Sequence, residues 1–399
     1  MASANILGKD ERPRFFAFDD PSSLDLTAPD PRRAVAIRTY VRSLAGMQKE
    51  ALVVSSEGGP GWRLVSDEGP YLAGYDEAPF PLAFLNAGMV ASYLNEVVAL
   101  AEQRSVAYDD LRLVLDNFYT MEGSALKGTM VGGALPPDVR LEIASDADEA
   151  SLRNLAADAV DSSPLNGLLR GEHTSLFTLT HNDRELEPER AKRIDGPRLP
   201  DAVDRYDEVS VDGPEDADAL MRIAETAQHV EGEGGSGSSL KAEQKRTLHV
   251  RGLGTVGPDG LKTIDVQLFK PVGSNFRFLS AERGEDGVAR APDAATLISA
   301  GVAFCFMTQF GRYATIAKKQ LTRYRIIQDS HFSAGGASGG TGAAGEADPM
   351  ETHVYLDTEE DDDFARTLLD MGEQTCFLHA LCRTPLKPKL SVDRAVGTS

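Results

Sequence analysis

The sequence predicts an α+β protein built from two copies of one unit, and three observations carry that prediction. Two long, mostly apolar segments, LAFLNAGMVASYLNEVVALAEQ (82–103) and AATLISAGVAFCFMTQFGRYATIAKKQ (294–320), read as buried helices. Ala87-Gly88 in the first stands against Ala300-Gly301 in the second, so that position n meets position n + 213. The same offset then runs on without a gap through the segments that follow each helix, as a true repeat requires.

Each flanking segment has its counterpart. LRLVLDNFY (111–119) falls on YRIIQDSHF (324–332), both strand-like. VRLEIASDADEASLRNLAADAV (139–160) falls on THVYLDTEEDDDFARTLLDMGE (352–373), a strand running into a helix. SSPLNGLLR (162–170) falls on TCFLHALCR (375–383), and both copies then re-enter a strand. Strands gathered before and after the helices, rather than alternating with them one by one, define α+β. Residues 1–33, with Pro13, Pro21, Pro29 and Pro31, read as a loosely ordered arm, 34–184 as repeat 1 and 247–399 as repeat 2. Between them 185–246 reads as an acidic, Gly/Ser-rich linker, with a short helix allowed over 214–230 and a mobile, protease-sensitive stretch expected at 229–246. The glycine-rich 333–349 segment reads as a long hairpin loop.

Composition excludes several classes. With 41 Lys+Arg against 62 Asp+Glu the formal net charge is -21, which opposes binding to nucleic acid or an anionic membrane. Three cysteines in 399 residues do not make a disulfide scaffold. No apolar run looks long enough to cross a bilayer and the N-terminus lacks a signal-peptide core, so a cytoplasmic protein with free thiols is expected. GLGTVG (252–257) fits a dinucleotide fingerprint, but a Pro-Asp-Gly turn and a strand follow it where a helix is required. GASGG (336–340) fits a nucleophile elbow but lies inside the glycine-rich loop. The acidic runs 146–149 and 359–363 occupy equivalent positions at helix starts, which favours capping over a cation site.

The chemistry-bearing positions are Cys305, within the second long helix, and Cys376, opening a short helix. Both map onto serine in repeat 1, at Ser92 and Ser163. A thiol at a helix N-terminus gains thiolate character from the dipole and free amides. Cys382 reads as inert core, and His379 forms a Cys-x-x-His half motif that with Cys305 offers three soft ligands for zinc or iron. His331 reads as a solvent-facing strand residue, Trp62 and Tyr313 as packing residues.

A long helix carrying LISAGVAFCF, followed by TCFLHAL at a second cysteine, resembles the OsmC/Ohr family of osmotically inducible and organic-hydroperoxide-resistance proteins. The resemblance implies a fused tandem of two OsmC-like repeats forming an intramolecular pseudo-dimer around the long helices, with repeat 1 degenerate. It implies that Cys305 is the peroxidatic thiolate and Cys376 the resolving thiol, with an organic hydroperoxide as substrate, an external thiol or dithiol as reductant and no bound cofactor. The assembly would be a monomeric pseudo-dimer or a higher homo-oligomer. The family places proline after its second cysteine, where this chain has Phe377, while Pro164 follows Ser163. It also places an acid two turns before the first cysteine, where this chain has 295–297 Ala-Thr-Leu and Asp293 nearest, and an arginine for which Arg63, Arg277, Arg283 and Arg312 all qualify. The alternatives are a different enzyme on the same fold, with Cys305 as nucleophile or metal ligand acting on a small organic molecule, and a non-catalytic binding protein.

Overall fold

The computed structural model describes residues 4–203, 205–210, 221–225, 237–271, 273–284 and 289–395. Its first half holds strands β1 (Phe16–Phe18), β2 (Val35–Ser43), β3 (Lys49–Ser55) and β4 (Gly61–Ser66), then helix α1 (Pro81–Gln103). Strands β5 (Asp110–Ser124) and β6 (Val131–Ala144) lead to α2 (Glu149–Ser162), α3 (Gly167–Arg170) and β7 (Leu176–His181). A connecting region follows, with β8 (Arg184–Leu186), β9 (Lys192–Arg193), α4 (Arg205–Glu208) and β10 (Met221–Glu225). The second half repeats the order: β11 (Glu243–Val256), β12 (Lys262–Lys270), β13 (Asn275–Ser280), α5 (Ala294–Ala317), β14 (Arg323–Phe332) and β15 (Glu351–Asp357). It ends with α6 (Asp362–Thr375), α7 (Phe377–Arg383) and β16 (Lys389–Ala395). This is a mixed α+β fold with two sheets and seven α-helices among the described residues.

Each sheet draws strands from both halves. The first runs β1-β4-β3-β2-β14-β15-β7-β8 with β9 beside β7, and the second β10-β13-β12-β11-β5-β6-β16. β2 pairs antiparallel with β14, placing Val41 opposite Ile326; β11 pairs antiparallel with β5, placing Gly254 opposite Leu113. Those two residue pairs are the same pair read at the 213 offset in both directions. β7 joins β15 in parallel, as β16 joins β6. α1 packs on β11 and β12, α5 on β2 and β14, and the two helices pack on each other within one continuous core.

The helices start and stop where side chains dictate. Asp148 and Asp361, equivalent positions, accept the Ser151 and Phe364 amides at the starts of α2 and α6, so the acidic runs cap helices. Pro81 stands at the first position of α1, where its missing N–H costs nothing. All of GLGTVG but its last glycine lies on β11, and Gly252 and Gly254 are there because α1 approaches: a β-carbon at either would collide with Asn86 or Val90. By length and hydropathy both α1 and α5 would serve as membrane spans, contrary to the reading of the sequence. Their apolar windows are 83% and 89% buried inside the protein, which accounts for the composition.

Two further expectations are corrected. The arm is not loose: β1 pairs with β4, and Leu7, Phe15, Phe16, Phe18 and Leu26 are buried. Proline punctuation hid a three-residue strand, too short to show a period. The connecting region is also structured where described. Tyr206 and Val209 cover the outer face of the first sheet against Phe16, Tyr40, Leu52 and Tyr355. The helix expected over 214–230 is overturned at 221–225, which pairs as β10 with β13, and its remainder lies outside the described residues. So does 229–236 of the expected mobile stretch; from Gly237 the chain forms a turn and enters β11 at Glu243.

Candidate functional site

Cys305 lies midway along α5, and Cys376 caps the start of α7 directly after α6. The Cys376 amide donates to the Gly372 carbonyl at 3.0 Å, closing α6 and turning the side chain toward α5. The two sulfurs stand 3.5 Å apart, both buried. In the other half the Ser163 amide donates to Ala159 at 3.1 Å, the equivalent turn, and the Ser92 and Ser163 hydroxyl oxygens are 2.7 Å apart. The sequence-predicted pair is thus brought together, and so is its serine counterpart.

A cavity of about 30 Å³ opens at Cys305, lined also by Glu68, Thr308, Gln309, Arg312 and Phe377. Of the four candidate arginines only Arg312 reaches it. Arg63 lies between Glu50 and Asp10, at 2.7 and 2.9 Å; Arg277 pairs with Asp265 at 2.7 Å; Arg283 donates to the Glu57 and Gly58 carbonyls. Arg312 donates to the Ser239 carbonyl at 2.9 Å and Gln309 Oε1 at 3.2 Å, and has no carboxylate within 4 Å among the described residues. Burial, with Arg246 nearby, pushes its pKa down to about 9, so the guanidinium stays charged at neutral pH.

The acid at the site is Glu68, which sequence reasoning missed. It follows β4 in the first half and accepts Tyr71 OH at 2.8 Å and Thr308 Oγ1 at 3.0 Å. Position 281, its repeat equivalent, is alanine, so the offset that found the thiols could not find this carboxylate. Asp293, the nearest acid in sequence, instead caps α5 through the Thr296 amide at 2.7 Å. Burial raises the Glu68 pKa, against the opposing pull of the fully buried Lys49. The Lys49 pKa is lowered by burial, while Glu68, Asp67 and Cys305 act to raise it.

At rest Cys305 is a thiol and not the thiolate that the resemblance implies. Burial pushes its pKa well above the usual thiol range, the Cys376 sulfur adds to that, and the Leu378 amide opposes it. Cys382 is inert core as expected, pushed up to about 12 by burial. His331 is not solvent-facing: it is buried, and its Nδ1 accepts the Arg32 amide at 3.3 Å because residues before β2 fold over that strand. Trp62 packs in the core.

The soft-ligand set does not assemble. No group of three His, Cys, Asp or Glu side chains placed to hold a metal ion occurs among the described residues. His379 instead packs between Phe306 and Phe177, tilted to one and edge-on to the other with ring centroids at 4.7 and 5.6 Å, and neither ring nitrogen has a hydrogen-bond partner among the described residues. Burial holds its pKa down to about 3. Because the unfolded value is near 6.5, the native state binds fewer protons below that pH, and stability falls as pH drops from about 6.5 toward 3. The expected loss is about 4–5 kcal/mol across that window. Melting temperatures from pH 7 to pH 4 should therefore drop less in His379→Leu than in the wild type; parallel curves would show that the imidazole is not the acid-sensitive group.

No family model matches the chain, and no curated protein matches it. Among solved structures, an OsmC-like hydroperoxide resistance protein from Jannaschia sp. CCS1 is 21% identical over 33% of this chain and 81% of its own, with a TM-score of 0.18.

Proposed function

We propose that this chain is a fused tandem of two OsmC-like repeats, an intramolecular pseudo-dimer whose second half reduces organic hydroperoxides through Cys305 and Cys376. The observation that carries the reading is the 3.5 Å sulfur separation beside a cavity at Cys305 that Arg312 and the buried Glu68 line. A disulfide needs about 2.05 Å, so the sulfurs must close by roughly 1.5 Å. The exchange of strands between halves at the 213 offset supports the pseudo-dimer.

The chemistry follows from these residues. Cys305 attacks the distal peroxide oxygen; the O–O bond breaks, and the alkoxide leaves as the alcohol with the thiol's proton. Cys305 is then a sulfenic acid. The Cys376 sulfur attacks it, expels the hydroxyl as water and forms the disulfide. An external thiol or dithiol returns two electrons and two protons, which suits a reducing compartment such as the cytoplasm. Because Cys305 rests protonated, the Leu378 amide and the nearby Lys49 are what favour its ionisation, and Arg312 lines the same cavity. The test is consumption of tert-butyl and cumene hydroperoxide with dithiothreitol as reductant. Multiple turnovers are expected, and a natively folded, fully reduced protein that turns over neither peroxide would remove the peroxidase reading.

A further inference from the structure

The serine half carries a second cavity, at the position equivalent to the thiol site, and it is far larger. It measures about 590 Å³ against about 30 Å³. Ten of the fourteen residues that line the thiol cavity have their counterpart at the 213 offset in this wall, and several of those counterparts are smaller. Arg312 is replaced by Ala99, Phe377 by Pro164, Leu82 by Ala295, Phe80 by Asp293 and Leu248 by Val35. Each of these five exchanges removes volume.

The lining is also charged in one sense. Glu57, Glu102 and Glu282 stand at the exposed rim, Asp293 is half-buried and Glu96 fully buried. None of the five has a lysine or arginine within 4 Å among the described residues. Asp259 is already matched by Arg290 at 2.8 Å, leaving Lys262 as the single cation set against five carboxylates. Lys262 is buried and reaches the Gly260 carbonyl at 3.4 Å. Glu96 is held by the Ala337 and Ser338 amides, at 2.8 and 3.2 Å, and by the Ser338 hydroxyl, which fixes it in the wall. Burial and the neighbouring Glu282 hold the Asp293 carboxyl up to about 7, the sign expected where acids crowd without a cation.

We propose that the serine half is a binding site for a small organic cation of the amine class, hollowed out of the second thiol site's position. Size and charge would both recognise it: the volume fits a small organic molecule, and Lys262 alone is set against five carboxylates. Ser92 in its wall, hydrogen-bonded to Ser163, is redox-silent, so the role is binding and not turnover.

Calorimetric titration of the reduced full-length protein with three probes of matched length tests this: 1,4-diaminobutane, 4-aminobutanoate and butanedioate. The diamine should bind one per chain, more tightly than either other probe, and weaken as salt is raised. Ala99→Arg, which restores the bulk and charge of Arg312, should weaken diamine binding at least tenfold. Glu282→Gln, at the exposed rim, should weaken it severalfold and decides the matter if the arginine variant does not fold. Absence of diamine binding, tighter binding of either other probe, or diamine affinity unchanged in the folded variants would overturn the proposal.

Discussion

Cys305→Ser is expected to reduce hydroperoxide turnover by at least about three orders of magnitude, because the hydroxyl is neither acidic nor nucleophilic enough to open the O–O bond. The fold should survive. The other half already contains this exchange at Ser92, where the hydroxyl simply hydrogen-bonds Ser163 at 2.7 Å. Loss of rate with little change in melting temperature is therefore the expected signature. Cys376→Ser should behave differently: the first equivalent of peroxide is still reduced, but the sulfenic acid at Cys305 has no resolving thiol and over-oxidises with further peroxide. Rates near wild type in Cys305→Ser would end the proposed mechanism.

The second large effect is structural. α1 and α5 cross closely at the two glycines that the repeat shares. A β-carbon on Gly88 would lie 2.5 Å from Ile298 Cγ1 and 2.8 Å from the Ala294 carbonyl oxygen. On Gly301 it would lie 2.7 Å from the Leu85 amide nitrogen and 3.2 Å from the Pro81 carbonyl oxygen, the same environment viewed from the other half. Backbone cannot move aside as a side chain can, so the helices must separate. Gly301→Leu should cost at least the about 1–3 kcal/mol typical of overpacking, and Gly88→Leu a similar amount. Chemical denaturation measures it. A Gly301→Leu protein as stable as wild type would show that the helices do not pack at this distance.

What the sequence disclosed was whatever repeats or alternates. The 213 offset located both long helices to within a few residues, paired the strands that follow them and found four side chains, Ser92, Ser163, Cys305 and Cys376, that the fold brings together in twos. The acidic runs, read as caps, are caps because capping is a local interaction between a side chain and amides three residues away. The misses are non-local. β1 is held by pairing with β4 more than forty residues on, and no period of three residues can announce that. Glu68 reaches Thr308 across 240 residues and has no repeat partner. Arg312 differs from the three other arginines only in what surrounds it: of the four, it alone lines the cavity at Cys305. The resting state of Cys305 was hidden for the same reason, since burial, not the sequence around a cysteine, sets whether it ionises.

The most direct test of the account is peptide mapping of the protein after one equivalent of tert-butyl hydroperoxide. Two of the three thiols should be consumed, joined as a Cys305–Cys376 disulfide that dithiothreitol reverses, with Cys382 still free to alkylation. Three intact thiols, or a disulfide that includes Cys382, would contradict it.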